Sequence, residues 1–157
     1  MSSIYYVDGS CKNNGSINSS GGFGVIEILD NNIIYEYQEF KTPTTNNEME
    51  LSAILHVLKK LDKEKNFCNN NFTIVPIIYS DSSYCCNIIN DWMYKWEKNN
   101  WLRSRNEEIK NLDIIKEIYN LKDLARVAKV KGHADNKWNN YVDELATGKK
   151  LLIKEGI

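Results

Sequence analysis

A glutamate stands on the apolar face of the strongest helical pattern in this 157-residue chain, and that placement limits what the chain can fold into. Ile54, Val57, Leu58 and Leu61 recur at helical spacing, and Glu50 lies one turn before Ile54 on the same stripe. Its carboxylate is therefore aimed toward the core side, where a charge must be protonated, salt-bridged or bound to a cation. Three further acids stand in comparable settings. Asp8 and Asp81 each close a β-like run (IYYVD and IIYSD), and Asp143 lies in the helical pattern NNYVDELA. Read alone, any one of them is an ordinary acid reaching water at the edge of an element. Four on separate segments favour a shared site, and carboxylates brought together need cations.

The chain opens with three β-like runs, 4–8, 23–29 and 33–40, joined by short polar turns, which predicts an antiparallel meander. A helix is expected from about Asn46, where Thr45-Asn46-Asn47-Glu48 has the capping-box form: the Thr45 hydroxyl accepts from the Glu48 amide while Glu48 reaches back. A polar loop over 63–71 and a buried strand over 72–80 follow, with Pro76 marking a bulge or an edge. Helical character resumes over 82–98, bent near Trp92, and again over 106–121. A strand over 125–130 and a helix carrying Trp138, Tyr141, Val142, Leu145 and Ala146 on one face complete the order βββ, α, β, ααα, β, α. That order predicts an α/β protein with helices on the faces of a mixed sheet. Sites in such sheets lie beyond strand carboxyl ends, where Asp8 and Asp81 both emerge if the first and fourth strands are parallel neighbours.

A chain of this length with 42% apolar residues builds one core, and no linker interrupts it. With no charged-then-apolar leader and no apolar run long enough to cross a bilayer, an intracellular protein with no membrane partner is expected. Cys11, Cys68, Cys85 and Cys86 show no C-x-x-C spacing, which argues for reduced thiols rather than zinc or a disulfide framework, with at least one of the adjacent pair packed inside. The net charge of −1 hides an asymmetry: residues 1–64 carry 5 Lys/Arg and 9 Asp/Glu, whereas 95–157 carry 14 and 10, giving −4 and +4. The second half is the place for polyanion contact, against the plainer alternative of two solvated faces. The short Asn clusters, beside abundant Ile, Lys and Tyr, fit an AT-rich genome and carry no functional weight.

Taken in order, DGSC (8–11), GGFG (21–24), TTNNEMEL (44–51), SDSSY (80–84), the tryptophans at 92, 96 and 101, VKGHA (130–134) and DELA (143–146) resemble type 1 ribonuclease H, the cellular and bacterial branch, across almost the whole chain. Each segment alone is weak evidence; seven in sequence are strong. The resemblance implies a ribonuclease H-like fold: a five-stranded mixed sheet, three antiparallel strands then two parallel, with helices on both faces. It implies one catalytic domain over 1–150 and a short tail over 151–157. The implied activity is endonucleolytic cleavage of the RNA strand of an RNA/DNA hybrid, leaving 3′-hydroxyl and 5′-phosphate ends.

Carried over residue by residue, the catalytic and metal-binding acids are Asp8, Glu50, Asp81 and Asp143, the four already singled out. The resemblance implies two Mg2+ ions, roughly 4 Å apart, holding the attacking water and the leaving 3′-oxygen on opposite sides of one phosphate. Hard oxygen donors without a His/Cys set suit Mg2+, with Mn2+ as an alternative. Asp8 is expected to bridge the ions, Asp81 to hold the nucleophile-side ion, and Glu50 and Asp143 to complete the shells. His133, in the loop after the last strand, is expected to shuttle a proton or assist product departure.

The resemblance implies that recognition of RNA by its 2′-hydroxyl falls to Gly9, Ser10, Cys11, Asn14, Asn46, Asn47 and Ser83, against helix capping and turn formation as the plainer use of the Asn residues, and that Thr45 and Asn111 match positions that grip a phosphate of the DNA strand. The resemblance places Trp92, Trp96 and Trp101 in a basic protrusion over that strand, although Trp92 and Trp96 at i, i+4 are more often a plain packing pair than a nucleotide platform. Residues 95–110 carry five basic and three acidic side chains, a net of only +2, which predicts weak hybrid affinity and a flat salt dependence. The polar segment 16–20 is longer than the compact Pro/Gly turn of the bacterial pattern, a departure that bears on the contact from Asn14, and Ser83 stands where that pattern has a longer amide, a departure that bears on its minor-groove contact. No obligate protein partner is indicated, and a monomer is expected. Two alternatives remain: a module that holds hybrids without cutting them, and a same-fold nuclease acting on DNA structures.

Overall fold

The computed structural model describes residues 3–68, 75–130 and 136–148. A five-stranded sheet has the order β3-β2-β1-β4-β5, with β1 Ile4–Lys12, β2 Ser20–Leu29, β3 Asn32–Lys41, β4 Ile77–Ser80 and β5 Arg126–Lys129. β1, β2 and β3 pair antiparallel, and β4 and β5 pair parallel to β1 and to each other, as the element order predicts. The β2–β3 hairpin turns on Asp30 and Asn31, both at positive φ, the backbone that a two-residue connection between right-twisted strands requires.

Alternation along β1 and β2 divides the molecule. Tyr5, Val7, Phe23 and Val25 face the main core, built with Leu51, Ile54, Val57 and Leu58 of helix α1 (Asn46–Cys68). Tyr6, Ile26 and Ile28 face the opposite side, where a smaller cluster includes Val142 and Leu145 of helix α5 (Lys137–Ala146). The two helices that carry Glu50 and Asp143 thus approach the same strand pair from opposite faces. Cys85 and Cys86 are both buried and free.

Several boundaries differ from the sequence reading. β1 runs on past Asp8 to Lys12 because Gly9–Lys12 pair with Ser20–Phe23, although GSCK shows no apolar alternation. α1 continues to Cys68 through the segment expected to be a loop, an exposed extension whose polar side chains carry no stripe. Among the described residues β4 is a strand only from Ile77, after Pro76. The 82–98 segment resolves into α2 (Ser83–Asn87), a π-helical turn over Ile88–Trp92 and α3 (Met93–Lys98), so the bend near Trp92 is a widened turn. The helix expected from 106 starts at Leu112, α4 (Leu112–Asn120), because Asn111 sits in the left-handed region at φ 61°. Glu48 does not close the capping box. Thr45 Oγ1 accepts from the Glu48 amide at 3.1 Å, but the Glu48 carboxylate goes to Lys41 and to the Thr44 hydroxyl. Among the described residues no helix is long and apolar enough to cross a membrane.

Gly9 sets the closeness of β1 to α1: a Cβ there would lie 2.4 Å from the Glu50 amide nitrogen and 2.7 Å from the Met49 carbonyl carbon. Both are backbone atoms that cannot swing aside. Gly9→Ala is therefore expected to lower stability by about 1–3 kcal/mol, read as a fall of several degrees in melting temperature; an unchanged melt would contradict the close approach.

Candidate active site

β4 stops at Ser80, paired with Val7, while β1 continues. Beyond that pair one edge of β1 loses its strand neighbour, and the acidic side chains gather in the opening. Asp8 is the first residue of β1 past the shared ladder, and Asp81 is the residue after β4. The main-core face supplies Glu50 from the second turn of α1, and the other face supplies Asp143 from α5. Asp8 pairs in register with Gly24, where a Cβ would meet Leu145 Cβ at 2.6 Å; the missing side chain lets α5 lie against this row.

One carboxylate oxygen from each of Asp8, Glu50 and Asp81 lies within 4.8 Å of the others. Asp143 stands outside that trio but lines the same open groove, of about 420 Å³, and hydrogen-bonds Asp8. Asp8 and Glu50 are buried, with 3% and 4% exposure, whereas Asp81 and Asp143 are exposed. The expectation that all four acids stand where burial is costly therefore holds for two. Asp81 follows the end of β4 and Asp143 lies on the exposed face of α5, and both line the open groove.

Burial dominates the electrostatics. It pushes the Asp8 carboxyl up to about 10, helped by the charges of Glu50 and Asp81 and by its hydrogen bonds to Glu50 and Asp143. Burial likewise raises Glu50, to about 8, and the Asp81 charge adds to this. Hydrogen bonds from Asp8 and from the Gly9 amide oppose the rise. Two acids in hydrogen-bond contact share a proton: Asp8 holds it and Glu50 accepts. Glu50 Oε2 is nonetheless buried with no hydrogen-bond partner, an acceptor for which the protein provides no donor. All-oxygen donors, clustered and one of them orphaned, fit a hard divalent cation, which would replace the proton that the metal-free cluster needs.

The substrate candidates divide between two grooves. Gly9, Ser10, Cys11 and Asn46 line the carboxylate groove. The Asn14 side-chain oxygen accepts from the Asn46 amide at 3.0 Å and ties the β1–β2 loop to the start of α1. Thr45 is occupied in capping α1. Asn47, Trp92 and Trp96 line a second cavity of about 470 Å³. Sequence reasoning did not single out Tyr84 or Ile109 there, and it counted Arg103 and Lys110 only as part of a basic region. Tyr84 was legible only as the residue after SDSS, and its hydroxyl bonds Asn111. Trp92 and Trp96 stack obliquely at 6.1 Å, and Trp101 packs edge-on to Tyr119 at 5.3 Å, so all three pack against other rings. Trp92 remains 37% exposed. Ser83 accepts from Lys129. His133 lies outside the described residues.

The family model described as RNase H matches residues 1–150. A ribonuclease H of Acetivibrio thermocellus is 40% identical over 145 residues, covering 90% of each chain. One from Caldanaerobacter subterraneus subsp. tengcongensis is 40% identical over 154 residues, 96% of this chain and 92% of the relative. Among solved structures, a foamy viral protease-reverse transcriptase in complex with RNA/DNA hybrid superposes with a TM-score of 0.77 at 21% identity, over 93% of this chain and 19% of that one. LC9-RNase H1, a type 1 RNase H with the type 2 active-site motif, gives 0.75 at 23% identity over 92% and 70%. At these identities the structures speak for the fold, and their five-stranded mixed sheet is the one predicted.

The raised carboxyls have a consequence of definite sign. A group whose folded-state pKa lies above its unfolded value stabilises the fold below the unfolded value, and that stability is lost as pH rises through the folded one. With Asp8 and Glu50 raised from 3.8 and 4.5 to about 10 and 8, chelator-treated protein is expected to melt progressively lower from about pH 5 to pH 9. Mg2+ or Mn2+ should restore the melting temperature at the alkaline end and do little at pH 5. Equal effects of the ion at both ends would contradict this electrostatic account.

Proposed function

The chain belongs to the ribonuclease H family, whose members are nucleases of the hydrolase class, and on that premise we propose that it cleaves the RNA strand of RNA/DNA hybrids with two divalent cations, leaving 3′-hydroxyl and 5′-phosphate ends. The observation that carries this reading is the convergence of Asp8, Glu50 and Asp81 oxygens within 4.8 Å around a buried acceptor that has no donor. Residues 1–150 are the catalytic domain, a span supported by the extent of the family match. The protein works as an intracellular monomer.

Asp8 would be the ligand common to both ions, a role supported by its central position in contact with Glu50 from one face and Asp143 from the other. Asp81 would hold the nucleophile-side ion, and Glu50 and Asp143 would complete the shells. When bound there, Mg2+, or Mn2+ in its place, would supply Lewis-acid charge to the phosphate and lower the pKa of the attacking water. The chain's own work is to position. Burial of Asp8 and Glu50 holds two carboxylates where rotamer freedom is low, and the exposed Asp81 and Asp143 leave the groove open to a duplex. His133 moves a proton at the leaving side.

The edge of β1 that β4 leaves uncovered, at Gly9 to Cys11, offers backbone amides to 2′-hydroxyls, and Asn14, Asn46, Asn47 and Ser83 extend that reading surface. Thr45 and Asn111 grip the DNA strand, with Trp92, Trp96 and Trp101 supporting the protrusion that covers it. That protrusion spends part of its charge internally: Arg103 lies 3.7 Å from Glu107, and Lys95 lies 3.4 Å from Asp91. Two of its five cations are thus met by acids, and the net charge of +2 supports lower hybrid affinity and a shallower salt dependence.

Asp8→Asn is expected to abolish cleavage of an RNA/DNA duplex while the circular dichroism spectrum and cooperative melt persist; undiminished cleavage by this variant rejects the assignment. Offering matched RNA/DNA, DNA/DNA and RNA/RNA duplexes with Mg2+, Mn2+ or EDTA tests the substrate. Cutting of the hybrid alone, and only with metal, is expected. Binding without cutting points to a passive module, and DNA cutting points to a nuclease for DNA structures. His133→Ala should slow turnover roughly 10- to 100-fold without abolishing it, and wild-type rates at every pH would remove His133 from the mechanism.

A further inference from the structure

Lys129 closes β5 and pairs across the ladder with Ser80, the residue before Asp81. The Val130 amide donates to the Ser80 carbonyl at 2.8 Å and fixes this end of β5 against β4. From there the Lys129 ammonium reaches over the start of α2 and donates to the Ser83 hydroxyl. It also lowers the proton affinity of the Cys86 thiol one turn further on, against the larger opposing effect of burial. Lys129 and Ser83 are both exposed, and Ser82, between Ser83 and Asp81, lines the carboxylate groove. Among the described residues Lys129 enters no ion pair, unlike Lys41, Lys60, Lys95 and Arg103, whose charges are met by acids. A cation steadied by a neutral hydroxyl at the rim of an acidic groove has part of its side-chain freedom already restricted while its charge stays unspent.

We propose that Lys129 is a substrate-binding residue, its ammonium taking a nucleic-acid backbone phosphate next to the linkage seated over Asp8, Glu50 and Asp81. The inference rests on the nuclease reading of that groove and adds to it a cation from β5, on the opposite side of β4 from β1. A strand whose scissile linkage lies at the carboxylates must pass the turn formed by Asp81, Ser82 and Ser83 on one side. Lys129 stands over that turn. The acids repel the neighbouring phosphates, and a fixed cation there offsets this for the strand being cut.

Lys129→Met and Ser83→Ala both break the Lys129–Ser83 bond, but only the first removes a charge; Ser83→Ala also removes a hydroxyl of the reading surface, so the salt slope, which loss of a neutral contact does not move, is the readout that isolates the charge of Lys129. In Mg2+, Lys129→Met is expected to raise KM for an RNA/DNA duplex about tenfold with kcat within about twofold, and Lys129→Arg to restore most of the loss. In an Asp8→Asn background, the slope of log affinity against log salt should fall by about one for Lys129→Met and stay put for Ser83→Ala. Lys129→Gln, which keeps a polar tip near Ser83, gives the same reading should the Met variant misfold. An unchanged KM and salt slope overturns the inference, as does a shared loss in both variants that follows melting temperature. A wild-type protein that cuts no duplex defeats the nuclease reading itself, whereas a wild type that cuts and is matched by Lys129→Met defeats only the role of Lys129.

Discussion

Acidic oxygens forced together where water is scarce are the constraint from which the rest of this structure follows. Asp8 and Glu50 cannot both be ionised in contact unless a cation stands between them, and burial removes the solvent that would otherwise separate their charges. The metal-free cluster meets this by holding protons, and it still leaves one Glu50 oxygen without a donor. A protein gains nothing in stability from such an arrangement. Its presence at the end of a shared ladder, in an open groove, is what sets it apart from structural ion pairs such as Lys60 with Glu27 and Glu64, where each charge is answered.

The fold supplies the constraint through small residues and an unequal pair of strands. Gly9 lets the backbone of β1 press against α1 at Glu50, and Gly24, opposite Asp8, lets α5 do the same from the other face. The short β4 then withdraws after Ser80 and leaves β1 with an uncovered edge at the point where the two helices deliver their acids. A longer β4 would fill the groove with its own backbone. The Lys60 network and the stack of His56 on Tyr37, with ring centroids 4.0 Å apart, bind α1 to β1, β2 and β3 and keep α1 from shifting.

Much of this was legible in the residues. Strand runs that end in an acid, and an acid on a helical apolar stripe, are local signals, and they located Asp8, Asp81 and Glu50 without any coordinates. What local patterns could not show was pairing. The continuation of β1 through Gly9–Lys12 is held by β2, not by any periodicity of its own, and the start of α4 is fixed by the left-handed backbone of Asn111. Burial was legible by element only: Asp81 follows an apolar strand and Asp143 stands between the buried Val142 and Leu145 of α5, yet both are exposed. Contacts between distant loops, Asn14 with Asn46 and Lys129 with Ser83, have no trace in spacing at all.

Proton release on metal binding tests the central claim most directly, because a cation that displaces shared carboxyl protons must expel them into the buffer. Calorimetric titration of the protein with Mn2+ near pH 7, in two buffers of different ionisation enthalpy, should show a net release of protons on saturation, with much weaker binding in Glu50→Gln. Saturation without any proton release, or equal affinity in wild type and Glu50→Gln, would contradict the account.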